Sequence, residues 1–246
     1  MTLRPRITPC LLMLRGGLVK TVNFKNPHYV GDPINAVKIF NEKKVDELVV
    51  LDITGRYDDN FEINYDLLKR IAASARMPLA YGGGVRDADA AARLVALGFE
   101  KVVVNTTALV SPELIPAIAA TIGRQSVVVS VDYTYRDGGY RIYNPAIGSH
   151  GTDPIGFCKI IEQLGVGEIF ACSVDRDGTM QGLDLDFALK LRRDISCPLT
   201  FCGGASSLED IRQFISAVGV VGIGVGSLFI YKGRHRAVLL SYSNSI

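Results

Sequence analysis

The chain of 246 residues contains no Cys-x-x-Cys pair, no His-Glu-x-x-His motif and no apolar stretch long enough to cross a bilayer. Its five cysteines, Cys10, Cys158, Cys172, Cys197 and Cys202, are odd in number and widely spaced. That argues against a disulfide framework and a zinc site, and reads as reduced thiols, mostly in the core. His28, His150 and His235 lie in Pro-, Gly- and Arg-rich surroundings without ligand spacing, so they read as loop or surface residues. Neither a metal nor a cofactor is expected.

Charge of one sign is also missing. The 27 Lys and Arg residues nearly balance 25 Asp and Glu, giving a net charge of +2, and the two signs are interleaved. A broad electrostatic footprint for nucleic acid is thereby excluded, and any basic site must be local. The opening MTLRPRITPC has no apolar core of signal-peptide length, and the longest apolar run, Val218 to Tyr231, is glycine-rich and too short for a membrane span. A soluble, cytoplasmic protein is expected. With 48% hydrophobic and 21% charged residues and no low-complexity segment, the chain should fold throughout, as one domain.

What is present is an alternation. Short β-branched runs at 6–12, 47–53, 77–81, 100–105, 126–132, 167–173, 197–202 and 220–225 are separated by amphipathic patterns near 33–44, 62–75, 87–97, 112–121, 154–164, 184–193 and 207–217. Capping residues such as Asp and Ser open these patterns. Apolar strands with helices between them imply a parallel sheet covered on both faces, and eight such units imply a closed (βα)8 TIM barrel. An offset of 121 residues carries Glu47 to Glu168, Gly82-Gly83 to Gly203-Gly204, Gly98 to Gly219 and Thr106 to Ser227. The barrel therefore reads as two similar half-barrels, about 1–122 and 123–246. An insert at 133–152 predicts a hairpin turning at Asp137-Gly138-Gly139, and the short tail after Tyr231 predicts a truncated last helix.

Ligand groups of such a barrel come from the C-terminal ends of its strands. There the sequence places YGGGV (81–85), NTTA (105–108), DRDGT (175–179), CGGAS (202–206) and GVGSL (224–228). Glycine lets backbone N–H groups approach phosphate oxygens, and Thr106 or Ser227 adds a hydroxyl. A single Gly-Gly after a strand is equally a tight turn; five such loops in register across both halves favour a ligand with a phosphate at each end. Acid–base candidates are Asp52, Asp132, Asp175 and Asp177, with Lys20 in a glycine-rich first loop, although aspartates in loops also serve as caps and turns.

Across residues 4 to 230, RITPCL, LVKTVNF, DELVVLDIT, YGGGVR, EKVVVNTTAL, VVVSVD, DRDGTMQGLDL and CGGASSLED together resemble the cyclase subunit of imidazole glycerol phosphate synthase. The resemblance implies a barrel that takes ammonia from a glutaminase docked on its N-terminal face and adds it to a bis-phosphorylated ribonucleotide. It implies phosphate contacts at Gly83, Gly84, Asn105 and Thr106 in one half and at Asp177, Gly178, Gly204, Gly226 and Ser227 in the other. Lys20 matches the family's first-loop lysine and Asp132 one of its two catalytic aspartates. Arg6, Glu47, Lys101 and Glu168 match a charged ring that gates ammonia; without the resemblance they read as salt bridges of the stabilising face.

The second aspartate of the family closes a PCLDV-like motif, which reads PCLLM in this chain, so Leu12 stands in its place. Leucine moves no proton, and acid–base steps contribute about 10²–10⁴-fold to rate. Leu12 either leaves cyclase activity weak or absent, or merely packs while Asp52 or another carboxylate substitutes. CLLMLRGGLVKTVNFKNP, INAVKIFNEKKVDEL and the tail KGRHRAVLLSY look more like relatives associated with surface-polysaccharide (acetamidino sugar) biosynthesis. Three readings follow: an ammonia-conducting subunit serving amidination, with a separate amidotransferase as a third component; a working histidine-pathway cyclase; and a non-catalytic scaffold that senses a phosphorylated metabolite.

Overall fold

In the computed structural model, which describes residues 4–144, 148–149 and 151–243, eight parallel strands close into a barrel. They are β1 (Arg6–Leu14), β2 (Leu48–Asp52), β3 (Leu79–Gly82), β4 (Lys101–Val104), β5 (Val127–Arg136), β6 (Glu168–Ser173), β7 (Leu199–Cys202) and β8 (Gly222–Val225). Each pairs with the next, and β1 pairs with β8 through Arg6 opposite Gly222 and Pro9 opposite Val225, which closes the ring. The fold is the (βα)8 TIM barrel expected from the alternation.

Helices cover the outside. Asp32, Asn64, Asp87, Asp153, Asp184 and Ser207 each accept a first-turn N–H through the side chain, satisfying donors that a helix start leaves open. The helix Leu114–Ile122 opens at Glu113 without a side-chain cap. Outward-facing strand residues such as Ile7, Leu11, Val50, Tyr81 and Ile223 join the helices in one large apolar core. A smaller cluster inside the barrel holds Cys10, Val49, Ala80, Val103, Val128, Phe170 and Cys172.

Asn105 (φ −126°, ψ −81°) and Gly226 (φ −100°, ψ −89°), 121 positions apart, share an unusual conformation just before the short helices Thr106–Val110 and Ser227–Ile230. As expected, β5 continues into a hairpin with Gly139–Asn144, turning at Asp137 and Gly138, both at positive φ. His150 and residues 145–147 of the insert lie outside the described residues.

One element departs from expectation. The glycine-rich first loop is a hairpin: Gly17–Val22 runs antiparallel to β1, turning at Arg15 and Gly16, and then pairs with Lys25–Gly31, turning at Asn23 and Phe24. All four turn residues have positive φ, as tight two-residue hairpin turns require. The last helix is, as expected, reduced to the four residues Ser227–Ile230. In its place a tail packs on the core through Leu240 and Tyr242, and the Tyr242 hydroxyl reaches within 3.3 Å of the Ile7 carbonyl and of Asp46 Oδ2.

Candidate active site and charged ring

A cavity of about 340 Å³ opens at the C-terminal ends of the strands. Gly83, Gly84, Asn105, Thr106, Asp177, Gly178, Gly204, Gly226 and Ser227 all line it, together with Lys20, Asp132 and Leu12. Residues up to about 200 positions apart in the chain thus meet on one surface. His28 and His235 are exposed and stand outside it.

Asp132, like Asp52, is a buried acid lining the cavity. Ser130 Oγ donates to its Oδ1 at 3.3 Å, and Asn105 Nδ2 donates to its Oδ2 at 3.2 Å and to the Ser130 carbonyl at 3.0 Å. Burial pushes its carboxyl up to about 7, against the opposing pull of the Arg56 guanidinium and the Ser130 hydroxyl. A group poised near neutrality can both give and take a proton. Asn105, expected as a phosphate contact, orients this acid; its own Oδ1 is buried without a partner.

The first hairpin crosses the cavity mouth and fastens to the β6 loop. Thr21 Oγ1 donates to Asp177 Oδ2 at 2.9 Å, Asn23 N to the Asp177 carbonyl at 2.9 Å, and Asn23 Nδ2 to the carbonyls of Val174 and Asp175. Gly178 makes this approach possible, since a Cβ there would collide with the Thr21 carbonyl. The carboxylate of Asp177 is therefore engaged with the hairpin; burial raises its pKa, while the nearby Lys20 ammonium and the Thr21 hydroxyl oppose that rise. Lys20 lies on a strand, buried, with Nζ donating to the Cys10 carbonyl at 3.1 Å and resting against Gly226.

The remaining candidates divide. Asp52 lines the cavity, and its Oδ1 accepts the Thr54 N–H at 2.9 Å, so part of its capacity holds the turn after β2. Asp175 lies outside the cavity lining, engaged by Thr134 Oγ1, Tyr135 N and Arg136 Nη2. Leu12 faces the cavity half-buried, in register with Leu51 of β2 and Val19 of the hairpin.

At the opposite end of the barrel Arg6, Glu47, Lys101 and Glu168 form a closed ring. Arg6 contacts Glu47 at 3.3 Å and Glu168 at 3.0 Å, and Lys101 contacts the same two at 2.7 and 2.9 Å. Thr200 Oγ1 adds a 2.5 Å hydrogen bond to Glu168. Burial pushes the Glu168 carboxyl up, but Lys101, Arg6 and Thr200 outweigh it and hold it below its ordinary value. Above the ring lies a throat of about 10 Å³, room on the scale of a single water-sized molecule. Val103 and Phe170 line both this throat and the upper cavity.

The profile of the family described as "Histidine biosynthesis protein" matches residues 6–236. The chain belongs to that family. It is 44% identical to the Leptospira interrogans protein named "Putative imidazole glycerol phosphate synthase subunit HisF", covering 98% of this chain and 96% of the relative. The Pseudomonas aeruginosa protein named "Putative imidazole glycerol phosphate synthase subunit hisF2" is also 44% identical, over 97% of this chain and 96% of the relative. The imidazole glycerol phosphate synthase subunit HisF of Streptomyces coelicolor is 39% identical, over 88% and 87%.

Three features of this family member were missed by sequence reasoning. Arg56 enters the cavity from the turn after β2, stacks 4.8 Å from the Phe24 ring and donates to the Phe24 carbonyl. Arg15-Gly16-Gly17 between two apolar runs is a hairpin signal that could have revealed the folded first loop. Cys10, Cys172 and Cys202, read as core thiols, line the cavity; strand alternation within each run would have placed them inward.

Proposed function

We propose that this chain is the synthase subunit of a glutamine amidotransferase complex, receiving ammonia from a glutaminase at the N-terminal face of the barrel and conducting it to the upper cavity. The observation that carries the reading is the closed ring of Arg6, Glu47, Lys101 and Glu168 beneath a throat that shares Val103 and Phe170 with the cavity. Alternating charges on a polar axis are a gate for a small neutral polar molecule, and the apolar layer above it excludes bulk water. The glycine loops with Thr106 and Ser227 suit a phosphorylated small molecule at the other end.

Leu12 favours amidination, in a surface-polysaccharide setting with a third amidotransferase component, over imidazole formation, because it removes one member of an acid–base pair. A second reading, the working cyclase of histidine biosynthesis, draws support from Asp132, whose carboxyl is held near 7 in the same cavity. The test is glutamine hydrolysis by the glutaminase subunit with and without the barrel. The proposal expects hydrolysis to depend on the barrel; a glutaminase equally active alone overturns it. Cytoplasmic residence goes with this reading.

A further inference from the structure

Three of the five cysteines meet at the floor of the cavity, from three different strands. Cys172 of β6 and Cys202 of β7 are direct register partners on adjacent strands. Cys10 of β1 approaches across Gly224 of β8: a Cβ on that glycine would stand 3.0 Å from Cys10 Sγ and 3.1 Å from Cys202 Cβ. The missing side chain lets the thiols close over strand β8.

Their surroundings are unequal. Cys10 and Cys172 are 3% and 6% exposed, whereas Cys202 is half-buried and open to the cavity. The neighbouring Cys10 and Cys172 thiols, the nearby Lys20 ammonium and the Gly203 N–H pull the Cys202 thiol well below its ordinary value, although burial opposes them; the Cys10 thiol itself donates to the Thr8 carbonyl at 3.6 Å. The same contact with Cys202, together with burial, pushes Cys10 and Cys172 up. Reactive cysteines occupy electropositive, partly open sites of this kind, and inert ones are buried in apolar surroundings. Neither ammonia conduction nor proton transfer by Asp132 uses a thiolate, so this cluster is unexplained by the reading above.

We propose that Cys202 is a modification site for hydroperoxides, with Cys172 as the thiol that resolves it. The Cys202 sulfur attacks one peroxide oxygen, the O–O bond breaks, and the leaving alkoxide or hydroxide departs with the bonding pair and takes up a proton. Cys202 is left as a sulfenic acid. The Cys172 sulfur then attacks the Cys202 sulfur, the S–O bond breaks, and hydroxide leaves with the Cys172 proton as water. Two thiols are oxidised to one disulfide, and one peroxide is reduced by the same two electrons.

Geometry selects Cys172 over Cys10. Neighbouring strands lie about 4.8 Å apart, inside the Cα separation of roughly 4.4–6.8 Å that a disulfide spans. Cys10 is two strands away from Cys202, about 9–10 Å by the same spacing and too far for a disulfide, and its thiol donates to the Thr8 carbonyl at 3.6 Å.

The test uses the intact native protein. Under brief exposure to iodoacetamide, Cys202 should alkylate at least about tenfold faster than the helix-side Cys158 and Cys197, whose thiols burial pushes up. After stoichiometric hydrogen peroxide, blocking and digestion, peptide mapping should show a Cys172–Cys202 link that dithiothreitol reverses. In Cys172→Ser, dimedone should trap a sulfenic acid on Cys202. Cys202 alkylating no faster than Cys158, or peroxide producing no Cys172–Cys202 link in the natural protein, overturns the proposal, and a Cys10–Cys202 link overturns the role given to Cys172. The first two readouts need no variant, so a folding defect cannot mask them.

Discussion

The Thr21 hydroxyl donates to Asp177 Oδ2 at 2.9 Å, joining residues 156 positions apart and fastening the first hairpin to the far rim of the cavity. This bond and the Asn23 contacts hold the hairpin on the site, so the hairpin's local stability should follow it. In Thr21→Val the shape is kept and the donor is lost, leaving a buried carboxylate short of a partner. A hydrogen bond of this kind contributes about 1–2 kcal/mol, so amide exchange across Gly17–Val22 should quicken roughly tenfold while the helix-side core is unchanged. Unaltered exchange there would mean that the backbone contacts of Asn23 hold the hairpin by themselves.

Asp132 makes stability depend on pH in a defined direction. Its folded pKa, about 7, lies above the unfolded value near 3.8, because burial penalises the charged form. The protonated form is favoured by folding, so its contribution is fully present below about pH 4 and is lost as pH rises toward 7. Asp132→Asn removes that loss. Denaturant melts should find the variant more stable than the natural protein at pH 8, by on the order of 2–4 kcal/mol, and nearly equal to it at pH 4. A difference that does not change with pH would show that the carboxyl is not held near neutrality.

Lys101 touches both carboxylates of the lower ring. In Lys101→Met, Glu47 and Glu168 keep only Arg6 between them, and breaking a buried ion pair costs about 3–5 kcal/mol. At about 2–4 °C per kcal/mol for a chain of this size, Tm at pH 8 should fall by roughly 10 °C. Glu168 is held below its ordinary pKa, so the natural ring stabilises the fold above about pH 4.5 and loses that effect as pH falls further. The deficit of the variant should therefore shrink in acid. A shift under about 2 °C at pH 8 would mean that Arg6 and Thr200 satisfy both carboxylates.

The eight strands were legible because they rest on local pattern: apolar runs such as ELVVLDI need no tertiary knowledge. The cavity residues were legible for the same reason, since barrel topology alone places strand ends together. What escaped depends on contacts between distant segments. Asp177 is held by Thr21, and no spacing in the sequence announces that pairing. The three thiols converge only because Gly224 leaves a gap between β1 and β7, a fact of three strands taken together. The first hairpin was hidden by composition, because glycines in its turns suggest a loop whether or not the flanking residues pair.

Leu12 carries the sharpest functional consequence, because it faces the cavity with Asp132 and places an isobutyl group where the resemblance implies a carboxylate. The half-buried position opens on a water-accessible cavity, so Leu12→Asp should fold, with Tm lowered by only a few degrees. With saturating ammonium and the bis-phosphorylated ribonucleotide, the natural protein should be inert and the variant should gain at least about 10²-fold in turnover, the usual contribution of one acid–base group. That gain would identify the cavity as a cyclase site with one proton-transfer group removed, and would direct the search for the ammonia acceptor toward amidination. If the natural protein already turns over well and the aspartate adds nothing, Asp52 or another carboxylate supplies the second proton transfer, and the chain serves imidazole formation.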